Sequence, residues 1–244
     1  DACYLAFQVE TKKVSEAIAG IRALNFAGVN VTVPHKSAVI PYLDEVSPLA
    51  KKIGAVNTIS NVKGHLKGTN TDISGFIRSM KKLNFSSKKK TIGILGSGGS
   101  ARALVAGLSD AGASKVIIYN RTAERAEKLV TEFSQYFPQT KLEAVSLHTI
   151  HETTLDLLIN STTVGMFSSE LPVDLKECRK INILADIIYS PKKTSLLKQA
   201  EELGITSVNG IGMLLYQGCE AFTFWTGKKA PEEVMRNRLI SLIE

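Results

Sequence analysis

Apolar and polar positions alternate along this chain with two different periods. Residues 4–9 form a short, mostly apolar run that predicts a strand, and residues 14–24 space their apolar side chains as an amphipathic helix does. Gly28-Val-Asn-Val-Thr-Val-Pro34 predicts a second strand, stopped by a proline that has no ladder donor. Residues 41–53 predict a helix, and residues 55–61 and 65–68 a hairpin around Asn61-Val-Lys-Gly64. A polar, lysine-rich stretch at 83–90 then marks a boundary between two lobes. Beyond it strands at 91–95, 116–119, 155–160, 183–186 and 207–208 alternate with helices at 100–111, 123–133 and 195–203. From 213 to 244 the pattern is helical, and this end is expected to return to the first lobe.

Strands separated by helices imply a parallel sheet covered on both faces, because parallel neighbours need crossover connections. The expected fold is therefore α/β with two lobes. Residues 1–74 and 213–244 make an α/β substrate-binding domain, and residues 75–212 a doubly wound, Rossmann-like domain. With 244 residues, 44% of them hydrophobic, the chain can build two cores. The net charge of +7 could attract anions, but Lys81-Lys82 and Lys88-Lys89-Lys90 read as a solvated linker, so nucleic acid is not an expected partner. Cys3, Cys178 and Cys219 are odd in number and far apart, which fits a reducing, cytoplasmic setting and no zinc ribbon. No apolar stretch is long enough to span a membrane and residues 1–10 have no basic-then-apolar pattern, so neither membrane spanning nor secretion is expected. The four histidines, His35, His65, His148 and His151, share no ligand spacing with acids or cysteines, so no metal is expected.

Gly96-Ser-Gly-Gly-Ser-Ala101 lies between a predicted strand and a predicted helix, the context a dinucleotide-binding G-x-G-x-x-A loop requires. Gly96 permits the tight turn, Gly98 lets backbone approach a pyrophosphate, and Ala101 is small enough for helix to pack on strand. At the end of the next strand, Tyr119-Asn-Arg-Thr-Ala-Glu-Arg125 has no acid at 120 or 121 to bind a ribose 2′-hydroxyl. Arg121 and Arg125, one helical turn apart, instead suit a 2′-phosphate, which favours NADP over NAD.

Eight segments in order resemble the shikimate dehydrogenase family over the whole chain. They are Asn30-Val-Thr-Val-Pro-His-Lys36, Gly54-Ala-Val-Asn-Thr58, Asn70-Thr-Asp72, Gly96-Ser-Gly-Gly-Ser-Ala101, Asn120-Arg-Thr122, Asn160-Ser-Thr-Thr-Val-Gly-Met166, Asp186-Ile-Ile-Tyr189 and Asn209-Gly-Ile-Gly-Met-Leu-Leu-Tyr-Gln217. The resemblance implies NADP-dependent reduction of 3-dehydroshikimate to shikimate, in chorismate and aromatic amino acid biosynthesis. It implies that Lys36 and Asp72 are the catalytic pair, which agrees with the chemistry: hydride delivery to a ketone builds negative charge on oxygen, and an ammonium stabilises that charge and donates the proton. Thr32, Asn57, Gln217 and Tyr189 are implied to bind substrate with Lys36 and Asp72; Tyr189 could equally be a partly buried aromatic. Gly96, Ser97, Gly98, Gly99 and Ser100 are implied on the pyrophosphate, and Asn120, Arg121, Thr122 and Arg125 on the adenosine phosphate. Thr162, Ile187, Gly210 and Met213 are implied near the nicotinamide, although Ile187 and Met213 could be plain core.

The family normally opens with a further strand and a Ser-x-Ser loop whose hydroxyls bind the substrate carboxylate; the 244 residues begin at what resembles the family's second strand, so that segment is expected to have been removed or unrecorded, or the chain to be a truncated form. If it is truly absent, substrate binding should weaken more than cofactor binding. A quinate or dual quinate/shikimate dehydrogenase is the nearest alternative, and a catalytically silent NADP-binding regulator a more distant one. Monomer and homodimer are both compatible with the sequence.

Overall fold

The computed structural model describes residues 2–243. Helix α1 (Val14–Ala23) buries Val14, Ile18 and Ile21 on one face. Strands β1 (Gly28–Asn30), β2 (Glu45–Val46), β3 (Thr58–Val62) and β4 (His65–Thr69) form a small sheet in the order β1-β3-β4-β2. The β3–β4 hairpin closes through Lys63 and Gly64, both at positive φ (53° and 85°), which is the two-residue geometry that matches strand twist.

Two expectations for this lobe fail. Residues 4–9 form no strand; no ladder bond holds them, and rings and side chains do instead. Tyr4 donates its hydroxyl to Asn30 Oδ1 at 2.9 Å, and the Phe7 and Phe26 rings lie 5.8 Å apart. The helix expected at 41–53 is broken into a 3-10 turn (Ile40–Tyr42), strand β2 and helix α2 (Pro48–Ile53). Pro48 bars Ser47 from helical backbone, so Ser47 becomes the cap, its Oγ accepting from the Ala50 N–H, while Asp44 and Ser47 bond the β4 edge through their main chain. Strand β1 also stops at Asn30, four residues before Pro34.

Helix α3 (Asp72–Lys81) leads from this sheet to the second lobe. There β5 (Thr91–Leu95), α4 (Gly99–Asp110), β6 (Lys115–Asn120), α5 (Ala123–Ser134), β7 (Lys141–Ser146), β8 (Thr154–Asn160), β9 (Lys180–Asp186), α6 (Ser195–Glu202) and β10 (Thr206–Val208) follow in turn. All six strands are parallel, in the order β10-β9-β8-β5-β6-β7. Ile92, Ile94, Val116, Ile118, Leu157 and Ile159 are sealed between the helical layers, as a sheet covered on both faces demands. The chain winds outward from β5 through β6 and β7, then restarts at β8 on the other side. That reversal places a crevice beyond the carboxyl ends of β5 and β8, where ligands bind in open α/β sheets.

The C-terminal helical run divides into α7 (Ile211–Thr226) and α8 (Glu232–Ile243) at Gly227, whose φ of 67° ends the first helix. Helix α7 does return to the small sheet: Trp225 donates its indole N–H to the Ile59 carbonyl at 2.9 Å, and its ring fills the space a side chain at Gly28 would need. Helix α7 meets α3 at Gly75, where a Cβ would stand 2.7 Å from the Gln217 nitrogen and 2.8 Å from the Met213 carbonyl oxygen. Strand β7 and helix α3 were not evident in the sequence pattern.

Candidate active site

Lys36 lies on a turn after the cis Val33–Pro34 bond, with the His35 N–H bonded to the Thr32 carbonyl at 2.9 Å. Two further bonds hold this turn: the Lys36 carbonyl accepts from the Val56 N–H at 2.8 Å, and His35 donates Nε2–H to the Val9 carbonyl at 2.8 Å. The backbone of Lys36 is therefore tied to the segment that carries Asn57. Its ammonium donates to Asp72 Oδ2 at 2.7 Å, and both side chains are only slightly open to solvent, at 15% and 11%.

Asp72 is the first residue of α3 and buried, so its charge sits at the positive end of a helix. Asn57 donates Nδ2–H to Asp72 Oδ1 at 2.8 Å and to Thr71 Oγ1 at 3.1 Å, while its own carbonyl oxygen accepts from the Thr71 N–H at 2.8 Å. The other amide group near the pair, that of Asn70, accepts from the Asp72 N–H through Oδ1 and donates to the Ala55 carbonyl. Both amide side chains thus have partners at each end, which fixes the carboxylate with one oxygen toward the lysine.

Lys36, Asn57 and Asp72 are brought together directly. Gln217 joins them through Gly75, one helical turn from Asp72, because its backbone and Cβ press on that glycine; its side-chain amide donates to the Leu214 carbonyl. Thr32 shares the Lys36 turn and is exposed to solvent. Tyr189 is 40% exposed and makes no hydrogen bond to the pair; it lines an open cavity of about 720 Å³ with Gly165, Met166, Phe167 and Pro191.

The glycine loop has the shape a dinucleotide needs. Gly96 turns with φ 99° and donates its N–H to the Tyr119 carbonyl, and a Cβ there would stand 3.0 Å from Thr162 Cγ2. In front of Gly98 and Gly99 there is nothing within 4 Å, and no side chain caps α4. Its first turn, with no capping side chain, offers free amides at the positive end of the helix, as an anion site does. Ser97 and Ser100 flank that opening, and Ala101 is fully buried on the strand as expected. Arg121, Thr122 and Arg125 are exposed, and neither arginine has an ion-pair partner among the described residues; Asn120 donates its amide N–H to the Thr122 carbonyl at 2.8 Å. These residues could hold NADP: an uncapped helix start after a glycine loop suits a pyrophosphate, and unpaired guanidiniums suit a 2′-phosphate. Ile187 and Met213 are part-buried and pack on the core, and Gly210 is buried.

Sequence reasoning passed over several members of these networks. Asn30 donates Nδ2–H to the Asn57 carbonyl at 3.2 Å and to Thr58 Oγ1 at 3.1 Å, and Thr71 bridges Asn57 and Thr58. Asn160 and Asp186, the last residues of β8 and β9, are buried and bonded to each other at 3.1 Å. Their signal was a polar residue directly after a short apolar run, Leu157-Leu-Ile159 and Ile183-Leu-Ala185. Among the described residues no cluster of three or more His, Cys, Asp or Glu could hold a metal, and no helix is long and apolar enough to cross a membrane.

Three family models match in succession: the shikimate dehydrogenase substrate binding domain at residues 1–59, shikimate / quinate 5-dehydrogenase at 79–184, and the shikimate 5'-dehydrogenase C-terminal domain at 210–240. A curated relative, shikimate dehydrogenase (NADP(+)) of Geobacillus sp. (strain WCH70), is 44% identical over 231 residues, covering 93% of this chain and 82% of that protein. Solved structures agree. Shikimate 5-dehydrogenase from Listeria monocytogenes in complex with shikimate and NAD superposes with a TM-score of 0.89 at 34% identity, over 97% of this chain and 85% of that one. The Thermus thermophilus enzyme in complex with NADP(H) and shikimate gives a TM-score of 0.85 at 34% identity, over 96% and 85%. With identity this high over nearly its full length, and with Lys36, Asn57 and Asp72 bonded together and a glycine loop opening α4, the chain belongs to the shikimate dehydrogenase family.

Proposed function

We propose that this chain catalyses the reversible NADPH-dependent reduction of 3-dehydroshikimate to shikimate, in chorismate and aromatic amino acid biosynthesis. The observation that carries the reading is the Lys36–Asp72 pair, 2.7 Å apart, in a member of this family. Bound NADPH supplies the hydride. Lys36 stabilises the charge that develops on the carbonyl oxygen and donates the proton there; in the reverse direction it accepts the alcohol proton. Asp72 orients the ammonium and, with Asn57, Thr32, Gln217 and Tyr189, offers hydrogen-bonding groups to a polyhydroxylated ring.

We assign residues 1–74 and 213–244 to substrate binding and 75–212 to NADP. Gly96, Ser97, Gly98, Gly99 and Ser100 would hold the pyrophosphate, Asn120, Arg121, Thr122 and Arg125 the 2′-phosphate end, and Thr162, Ile187, Gly210 and Met213 the nicotinamide end. We infer a monomer or homodimer in the cytoplasm. Quinate is the second substrate to consider, because the matching central family model is described for shikimate and quinate alike. A silent regulator would have no use for a proton-transfer pair.

The test is the appearance of reduced-nicotinamide absorbance with shikimate or quinate and NADP or NAD, in all four combinations. Signal with shikimate and NADP supports the proposal. Signal with quinate alone moves the substrate to the second reading, and silence in all four with NADP still bound leaves only a nucleotide-binding role.

A further inference from the structure

Asp186 closes β9 with only 1% of its surface exposed, and burial pushes its carboxyl above the ordinary range. Burying a carboxylate is costly unless several donors face it. Three do. Oδ1 accepts from Asn160 Nδ2 and from the Ile188 N–H, each at 3.1 Å, and Oδ2 accepts from the Thr194 hydroxyl at 2.7 Å. Asn160, its ladder partner on β8, turns its carbonyl oxygen to the Thr162 hydroxyl at 2.7 Å and the Thr162 N–H at 3.1 Å.

The same carboxylate reaches further through its neighbours. Ile188 accepts from the Gly210 N–H at 2.9 Å, and a side chain at Gly210 would collide with the Ile187 carbonyl. Thr194 also caps α6 by accepting from the Leu197 N–H at 3.3 Å. One buried group therefore ties together the loop after β8, the loop after β9, the start of α6 and the start of α7. A well-packed apolar residue would hold such a junction at no greater cost, so packing alone does not explain an acid there. The loops it joins carry Thr162, Ile187 and Gly210, on the nicotinamide side by the reading above; of the glycine loop only Gly96 packs against this junction, at Ser161 and Thr162, and none of the Asp186 bonds runs to Gly98, Gly99 or Arg121.

We infer that Asp186 is a positioning residue that fixes the wall formed by Thr162, Ile187 and Gly210, and thereby the nicotinamide half of the cofactor, leaving the phosphate half to other contacts. The inference rests on the cofactor reading proposed above. Asp186→Asn keeps the shape but has one carbonyl oxygen, which can serve either Asn160 and Ile188 or Thr194, not both sides.

The experiment is a calorimetric titration with two probes: NADP, and adenosine 2′,5′-bisphosphate, which lacks the nicotinamide half. Asp186→Asn should weaken NADP about tenfold, the size expected for a lost hydrogen bond to a charged group, with the bisphosphate unchanged. Thr194→Val should move in the same direction and Thr194→Ser should restore the wild-type ratio. Equal weakening of both probes, or of neither, would overturn the inference. If Asp186→Asn does not fold, Thr194→Val is judged by the same two criteria. Wild-type protein that binds neither probe would instead overturn the cofactor reading itself, and the inference with it.

Discussion

The Lys36 ammonium meets one oxygen of Asp72 at 2.7 Å while Asn57 Nδ2 meets the other at 2.8 Å. The carboxylate is thus gripped from both sides, and the lysine is aimed by a group that is itself aimed. On the proposed mechanism, removing the ammonium removes the proton donor without touching the glycine loop. Lys36→Met should lower kcat by a factor on the order of 10² to 10⁴, the usual range for a positioned acid or base. Affinity for NADP, measured by titration, should stay near wild type; a large loss there would place Lys36 in cofactor binding instead.

Arg121 and Arg125 are exposed and lack ion-pair partners among the described residues. Surface arginines usually contribute little to stability, so truncating one should leave the fold intact. Arg121→Ala should raise KM for NADP by about tenfold or more, because a guanidinium grips a phosphate with paired, charge-assisted donors. KM for NAD, which has no 2′-phosphate, should barely move. Equal effects on the two cofactors would remove the 2′-phosphate assignment.

Much of this was legible in the sequence where local chemistry and long-range packing agree. The glycine loop could be read because Gly96, at φ 99°, needs a residue without a side chain, and strands β5, β6 and β8 because a sheet covered on both faces buries apolar residues such as Ile92, Ile94, Val116, Ile118, Leu157 and Ile159. Residues 4–9 misled because strand propensity is a preference for a pleated surface and does not provide a ladder partner. The helix expected at 41–53 failed because Pro48 and the β4 edge compete for the same backbone. Asn30, Thr71 and Asp186 could not be found by spacing, since each acts on residues far away in the chain that only the fold brings close.

Gly75 is where α3 and α7 touch, with no room for a methyl group between it and the Gln217 backbone. Gly75→Ala should force the helices apart and cost about 1–3 kcal/mol, as overpacking does. In a chain of this length that corresponds to a fall in Tm of roughly 2–4 °C per kcal/mol. Because Gln217 would move relative to Asp72, KM for shikimate should also rise while KM for NADP does not. A lower Tm with both constants unchanged would show that Gln217 plays no part in substrate binding.

Asp44 offers a test on the other side of the small sheet. Its Oδ2 accepts from Arg22 Nη1 and from the Leu66 N–H, both at 2.7 Å, and the same guanidinium reaches the Gly64 and Tyr42 carbonyls. The Arg22 hydrogen bond, with that from Leu66, lowers the Asp44 carboxyl from 3.8 to about 2. Between those values the unfolded chain holds a proton that the folded chain does not, so stability must rise with pH across that window. The contribution is complete above the unfolded value and disappears as pH falls through about 2. Urea midpoints measured from about pH 5 down to about pH 2 should therefore fall more steeply for the wild type than for Asp44→Asn, with the two curves converging at the acid end. Parallel curves would mean that the Arg22–Asp44 contact does not hold α1 against the hairpin in solution.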